Sequence, residues 1–586
     1  MAHQRPGTSL TSAGAGDSHG PGKPLMAVAT VRGRVFAKRR DGSTSKLRRP
    51  RRWPVESLGL FVLTFIAYAA LADFMVIHVH YMNGDAYARV ANAQYVIGTR
   101  YPHLGAIGFV WPPLPSLIDL PFLMLGKWFP FVVSTAFAGS ISAAMVGAGT
   151  IMLLNIALRR CGVIMPVRYL VLLVWLANPE VAVYSAQGMS EGMGLFFMVA
   201  LGLAFMKWCD TQSARDLTIL GIVAGLNSLV REESVMLSVV IGLGVLICSF
   251  GRRVSWREIE TRALLFGLPF AFLFGGWILA QAVLLHDPFY FIHSIYGNGA
   301  QAGAINGFGD LQIQDSKTLL GSLGYVVKEA VGLFPAAILL AALVIIRLPF
   351  ARNRRAGIVV LLMGLPIPLV DAYELHIAQY SLQLRHSLWI IAWAAVLGMY
   401  LVWDLRRANH RLVPIVAAVA VTIAMGLSNF ATFDLMNRND QISQEYPLIQ
   451  AIETNTSLSN SFAAVVSDEA DYGHYLAYAV AAADKDHGLI AMDTFGGFNL
   501  FLNAPDPKIY VVTSDYDFEA VASQPLVYHV EYFLVPRPSA NGTLDRFNVL
   551  YPSLWSNGSG FATEVAHIGG MGDYKLYKIT GPTGRG

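Results

Sequence analysis

The sequence predicts an α-helical polytopic membrane domain followed by a small α/β domain. Three observations predict it. Charged residues make up only 14% of the 586 residues, against 54% hydrophobic, whereas soluble domains carry about 25% charged residues. The apolar excess lies between roughly residues 57 and 430, and the following stretch is ordinary in composition. Within the apolar part, successive runs approach the ~20 residues that a bilayer crossing needs.

Candidate spans fall near 57–79, 131–157, 168–185, 190–207, 216–231, 234–249, 263–285, 333–349, 356–372, 388–404 and 412–431, about eleven in all. The segments 216–231 and 234–249 are short and meet around Arg231, Glu232 and Glu233. Basic residues alternate between connections, as the positive-inside rule requires. One set of connections holds Arg159, Arg160 and Arg168; Lys207 and Arg215; Arg252, Arg253, Arg257 and Arg262; Arg347, Arg352, Arg354 and Arg355; and Arg406, Arg407 and Arg411. The other set holds only Arg89, Arg100, Lys127, Arg231, Lys317 and Arg385. This pattern places the N-terminus in the cytoplasm and the tail outside, in a multi-pass protein of the plasma membrane.

Three regions follow: a basic head over 1–54, a membrane domain over 55–432 and an extracytoplasmic α/β domain over 433–586. The head carries twelve Lys and Arg against two Asp. Because it abuts a span, it reads as a disordered topology anchor, not as a nucleic-acid site, and no nucleic-acid partner is expected. It shows no signal-peptide cleavage pattern. Cys161, Cys209 and Cys248 all precede the tail, which therefore has no disulfide framework.

Two outer segments are rich in polar and aromatic residues. The first, residues 80–129, contains GDAYARVANAQYVIGTRYP, which reads as a short interfacial helix, and WPPLPSLIDLPF, too Pro-rich to be helical throughout. The second, residues 286–318, reads as a mobile loop or short amphipathic helix. In the tail, LIAMD, KIYVVTSD, VEYFLVP and YKLYKIT read as strands, and YPLIQAIETN and GHYLAYAVAAAD as helices. No glycine-rich phosphate loop follows any of these strands.

Asp85 stands a few residues beyond the outer end of the first span. A carboxylate there can take a proton from an acceptor hydroxyl, although GDAYARVANA also offers it a helix-capping role. Glu191 opens the fourth span, where the helix dipole tolerates an acid but burial demands a partner or a task. Arg385 lies just before the tenth span, as a headgroup anchor or as a bidentate ligand of phosphate oxygens. Arg231 and Glu232 admit both a self-neutralising pair and a share of a substrate site. The outer histidines, His293 among them, and Tyr87 suit the aromatic belt. No HExxH or CxxC spacing is present, so no metal site is assigned. A divalent cation on Asp85 with two of these histidines remains an option.

The order of these motifs resembles the glycosyltransferase C superfamily. The matching features are the uncleaved first span, the acidic NGDAYARVANAQYV in the first outer loop and the Pro-rich WPPLPSLIDLPF. NPEVAVYSAQGMSEG before the fourth span, LVREES after the fifth and the late SLQLRHS complete the set, over about residues 55–430. The resemblance implies a bacterial, mannosyl- or arabinosyltransferase-like enzyme of envelope synthesis. It would use a polyprenyl-phosphate sugar as donor and invert the anomeric centre. Its acceptor would be a glycan, lipid or protein. It further implies catalytic roles for Asp85 and Glu191, donor-phosphate contacts from Arg385, His386 and Gln383, and a substrate-site role for Arg231, Glu232, Tyr87 and His293. A lipid-linked glycan ligase or flippase binds the same lipid, and only sugar transfer separates the readings. A secondary transporter would show related halves, and the sequence shows none.

Overall fold

The computed structural model describes residues 53–250, 254–297, 299–301, 317–378, 383–406, 412–439, 442–458, 469–484, 488–569 and 573–584. The expected disordered head (1–52 of it), the basic residues Arg252, Arg253, Arg407 and Arg411, and most of the second outer loop lie outside the described residues.

Each of the eleven expected spans contains a helix, but they differ in length. Among the described residues, seven helical segments are long and apolar enough to cross a membrane, and the bent pair Leu319–Leu333 and Ala336–Phe350, meeting at 99°, makes an eighth if it counts as one span. Met165–Leu176, Ala214–Asn227 and Ser234–Phe250 have 12, 14 and 17 residues. At ~1.5 Å per residue these fall short of a ~30 Å hydrocarbon core. These short helices also turn apolar side chains outward, Leu173, Ile222 and Leu243 among them, so apolarity alone does not separate them from full-length spans. The protein is a multi-pass membrane protein, with seven or eight helical segments of full spanning length among the described residues where eleven were expected.

The helices that position the cavity described below differ sharply in burial. Trp256–Leu284 turns Leu268, Phe272, Leu279 and Val283 outward, whereas the helix α4 (Trp389–Leu405) has nearly every side chain buried. α4 packs on α3 (Ser190–Thr211), where a methyl on Gly202 would come within 2.5 Å of Val396. Just before α3, Gly188 meets Gly139 so closely that a Cβ would lie 2.8 Å from the Gly139 Cα. Small residues permit this backbone approach between membrane helices.

α1 (Trp53–Ala72) runs on through Asp73–His78, and α2 (Gly84–Gly98) follows. α2, the expected short helix, buries Tyr87, Val90, Ala91 and Tyr95 and is wedged against the tail. Tyr95 meets Phe501 edge-on at 4.8 Å, and Asn503 donates to the Tyr87 hydroxyl at 3.2 Å. The Pro-rich stretch becomes helical only over Leu114–Leu123.

The tail is a mixed five-stranded sheet, ordered β2-β1-β3-β5-β4. β1 (Leu489–Met492), β2 (Tyr510–Val512) and β3 (Val530–Pro536) are parallel; β5 (Tyr574–Ile579) and β4 (Ala562–Ile568) are antiparallel. Alternation along β3 sends Tyr532 and Leu534 into the core shared with the membrane helices, and Phe533 and Val535 into a second core with Phe547 and Phe561. The four expected strands and two expected helices are present; β4 is an addition.

Candidate active site

A cavity of about 1420 Å³ lies between the helical domain and the tail. Asp85 reaches it from the first turn of α2. Asn83 caps that helix by accepting from the Asp85 N–H at 3.0 Å, and is itself fixed by Gln187 at 3.2 Å and Gln444 at 2.9 Å. Asp85 is thus placed by a capped helix start, and its carboxylate meets Arg385 Nη1 at 2.8 Å.

Arg385 is held by the short helical turn Leu384–Leu388, which precedes α4. Its Nε donates to Gln383 Oε1 at 2.7 Å, and the Gln383 N–H donates to His386 Nδ1 at 3.2 Å. Glu191, buried at the start of α3, takes Arg231 Nη1 at 2.6 Å and stands 3.9 Å from Arg385 Nε. Arg231 also pairs with Glu233. Burial, reinforced by Glu233 and Glu374, pushes the Glu232 carboxyl up to about 8.

Seven of the nine candidate residues therefore line one cavity: Asp85, Glu191, Arg231, Glu232, Gln383, Arg385 and His386. Tyr87 and His293 are not part of its wall. Tyr87 is buried and donates to the Ser134 carbonyl, while His293 is exposed and pairs with Asp287 at 2.8 Å. Among the described residues, no group of three His, Cys, Asp or Glu is arranged to hold a metal ion.

The structure adds residues that the sequence reading passed over. Arg89 is 8% exposed and lines the cavity. Its Nη2 donates to Ser190 Oγ at 3.2 Å and its guanidinium lies 4.7 Å from the Trp111 ring centroid, but Nε and Nη1 have no hydrogen-bond partner. Arg89 is four residues beyond Asp85 on α2, so helical spacing alone puts both on one face. Glu233, Asp371 and Glu374 also line the cavity. The tail contributes Asp493, whose Oδ2 accepts from Tyr296 Oη at 2.8 Å and from the Arg546 N–H at 2.7 Å. No local pattern pairs residues so distant in sequence.

Fold and site together define a multi-pass helical membrane protein whose polar, ion-paired cavity is closed on one side by an α/β domain. No family model and no curated protein sequence matches the chain. Solved structures similar to it include ArnT from Cupriavidus metallidurans bound to undecaprenyl phosphate, and the same protein in the apo state. They share 12% and 13% identity with this chain, cover 90% of it and 98% of their own length, and align with TM-scores of 0.45 and 0.44.

Proposed function

We propose that the protein is an integral membrane glycosyltransferase of the glycosyltransferase C type. It would move a sugar from a polyprenyl-phosphate donor to an acceptor hydroxyl on the extracytoplasmic face. The observation that carries this reading is the Asp85–Arg385 pair at 2.8 Å, facing the cavity beside the buried, partly unpartnered Arg89. A buried guanidinium with idle donors is costly unless an anion meets it. A phosphodiester supplies that anion, and planar guanidinium groups match its oxygens.

The donor phosphate binds Arg89 and competes with Asp85 for Arg385. Asp85 is then available to take the proton of the acceptor hydroxyl. The hydroxyl oxygen bonds to the anomeric carbon on the face opposite the phosphate, with inversion. The bond from that carbon to the phosphate oxygen breaks, and its electron pair leaves with the polyprenyl phosphate. Arg385 and Arg89 stabilise the charge that develops there. Glu191 acts through them, holding Arg231 and Arg385 in place. Gln383 and His386 fix the turn that carries Arg385. Glu232 and Arg231 shape the adjoining wall, whereas Tyr87 and His293 would act only indirectly, through the tail contact and the outer loop.

The test is transfer from labelled polyprenyl-phosphate mannose and polyprenyl-phosphate arabinose in proteoliposomes, with envelope glycan extract as acceptor. Release of polyprenyl phosphate together with labelled glycan is the expected result. Lipid redistribution across the bilayer without any bond cleavage would indicate a flippase and overturn the proposal.

A further inference from the structure

The tail does more than cap the cavity. The carboxyl ends of its three parallel strands all open into it: β1 leads to Asp493 and Thr494, β2 to Ser514 and Asp515, and β3 to Arg537. In open α/β sheets ligands bind outside the carboxyl ends of the strands, where the strand order reverses. The order β2-β1-β3 creates such a reversal between β1 and β3.

Two deeply buried carboxylates in this crevice each keep one oxygen idle. Asp545 is 2% exposed; its Oδ1 accepts from the Phe547 and Asn548 N–H groups at 2.9 and 3.2 Å, while Oδ2 has no partner. Asp515 is 4% exposed; its Oδ2 accepts from the Val512 N–H at 3.1 Å and from Arg100 at 3.4 Å, while Oδ1 has none. Buried polar atoms are ordinarily satisfied, so both oxygens mark places where a ligand would supply the hydrogen bond. Burial, with Asp493 beside it, pushes the Asp545 carboxyl well up. A carboxyl shifted in that direction suits a hydroxyl, which both donates and accepts, better than a cation.

The remaining lining narrows the ligand further. Asp493, Asp515, Asp545, Glu519 and Arg537 line the crevice. Arg100 is paired with Asp515, Arg546 with Glu519 and Arg537 with Asp573, so these cations are already engaged by carboxylates, which is unfavourable to an anion. Tyr516 at the rim is exposed and stacks on His103, with ring centroids 4.0 Å apart, offering a flat surface of the kind a sugar ring covers. We propose that this strand-end crevice binds the acceptor, and that the acceptor is a neutral, hydroxyl-rich glycan. Asp545 Oδ2 and Asp515 Oδ1 would hydrogen-bond its hydroxyls and Tyr516 would pack against a ring. Calling the ligand an acceptor rests on the glycosyltransferase reading; the binding assignment does not.

The experiment is saturation-transfer NMR on the full chain in phosphatidylcholine nanodiscs. The probes are neutral tetrasaccharides of mannose, arabinofuranose and galactofuranose, with tetragalacturonate as the anionic control. At least one neutral probe should be saturated and the control should not. Asp545→Asn retains the oxygen that caps the following helix and should weaken binding about tenfold. If Asp545→Asn misfolds, Tyr516→Ala, at an exposed position, decides alone and should also weaken binding. In the transfer assay both variants should raise the acceptor KM and leave the donor KM unchanged. No saturation of any neutral probe, equal saturation of the control, or unaltered binding in the folded variants overturns the assignment. Tetrasaccharide binding without any donor cleavage would overturn the enzyme and leave the crevice. Transfer with an unchanged acceptor KM in both variants would do the reverse.

Discussion

The two walls of the cavity are built on different principles. On the membrane side, Arg231 and Arg385 are clamped between Glu191, Glu233 and Asp85, and Arg89 keeps two nitrogens idle. On the tail side, carboxylates are held by backbone N–H groups, and the idle atoms are oxygens. Arg89 lacks an acceptor, whereas Asp515 and Asp545 each lack a donor. Such an arrangement suits two ligands of opposite hydrogen-bonding character meeting in one space, an anionic lipid and a polyol.

The comparison is broken most directly at Asp85, where the two ligands would meet. Asp85→Asn keeps the size of the side chain but removes the base. Turnover in proteoliposomes should fall by about 10²- to 10⁴-fold, with the apparent Tm unchanged. Near-normal turnover in a folded Asp85→Asn protein would falsify the base assignment. Arg89→Gln should act on one wall alone. Losing a hydrogen bond to a charged group costs about 1.5–3 kcal/mol, so the donor KM should rise roughly 10- to 150-fold while the acceptor KM holds. A parallel rise in both constants would mean that Arg89 only supports the architecture.

How far these walls could be read from sequence differs in the same way. Asp85, Glu191 and Arg385 stood out because each is a charged group at a span end, where charge is expensive. Arg89 obeys the i, i+4 spacing from Asp85, but an Arg in an outer connection reads equally well as one of the few outer bases. The tail wall was not legible, because Tyr296 reaches Asp493 and His103 stacks on Tyr516 across hundreds of residues. β4 escaped notice for another reason: it is an edge strand with Glu564 and His567 facing solvent, so it lacks the apolar alternation that betrays half-buried strands. The short helices resemble spans in sequence because they too turn apolar side chains outward, Leu173 and Leu243 among them, and differ from full spans in length.

A smaller effect should sharpen the link between packing and site. At Gly188→Ala the new methyl would press on the Gly139 backbone, one residue before the segment Met189–Glu191 that lines the cavity. Overpacking of this kind costs about 1–3 kcal/mol. The apparent Tm in nanodiscs should drop, and turnover should fall with it as Glu191 shifts. A drop in Tm at full turnover would show that the Gly188–Gly139 contact stabilises the fold without positioning Glu191.

The last expected effect, spread over several pH units, concerns Glu232, on the membrane-side wall. Its carboxyl is raised from the usual range to about 8, first by burial and then by Glu233 and Glu374. Between the unfolded value near 4.5 and about 8, the folded protein holds a proton that the unfolded chain has lost. Stability must then decline as pH rises through that window and level off above it, by on the order of 1 kcal/mol per pH unit at most. Asp493 and Asp545, also raised by burial, add a decline of the same sign. Glu232→Gln removes only one contributor, so the fall in apparent Tm between pH 5 and 8 should become shallower without vanishing. An unchanged slope would mean that Glu232 is ionised in the folded protein. The membrane-side wall would then carry one more negative charge opposing the donor phosphate, and Arg89 and Arg385 would have to outweigh it.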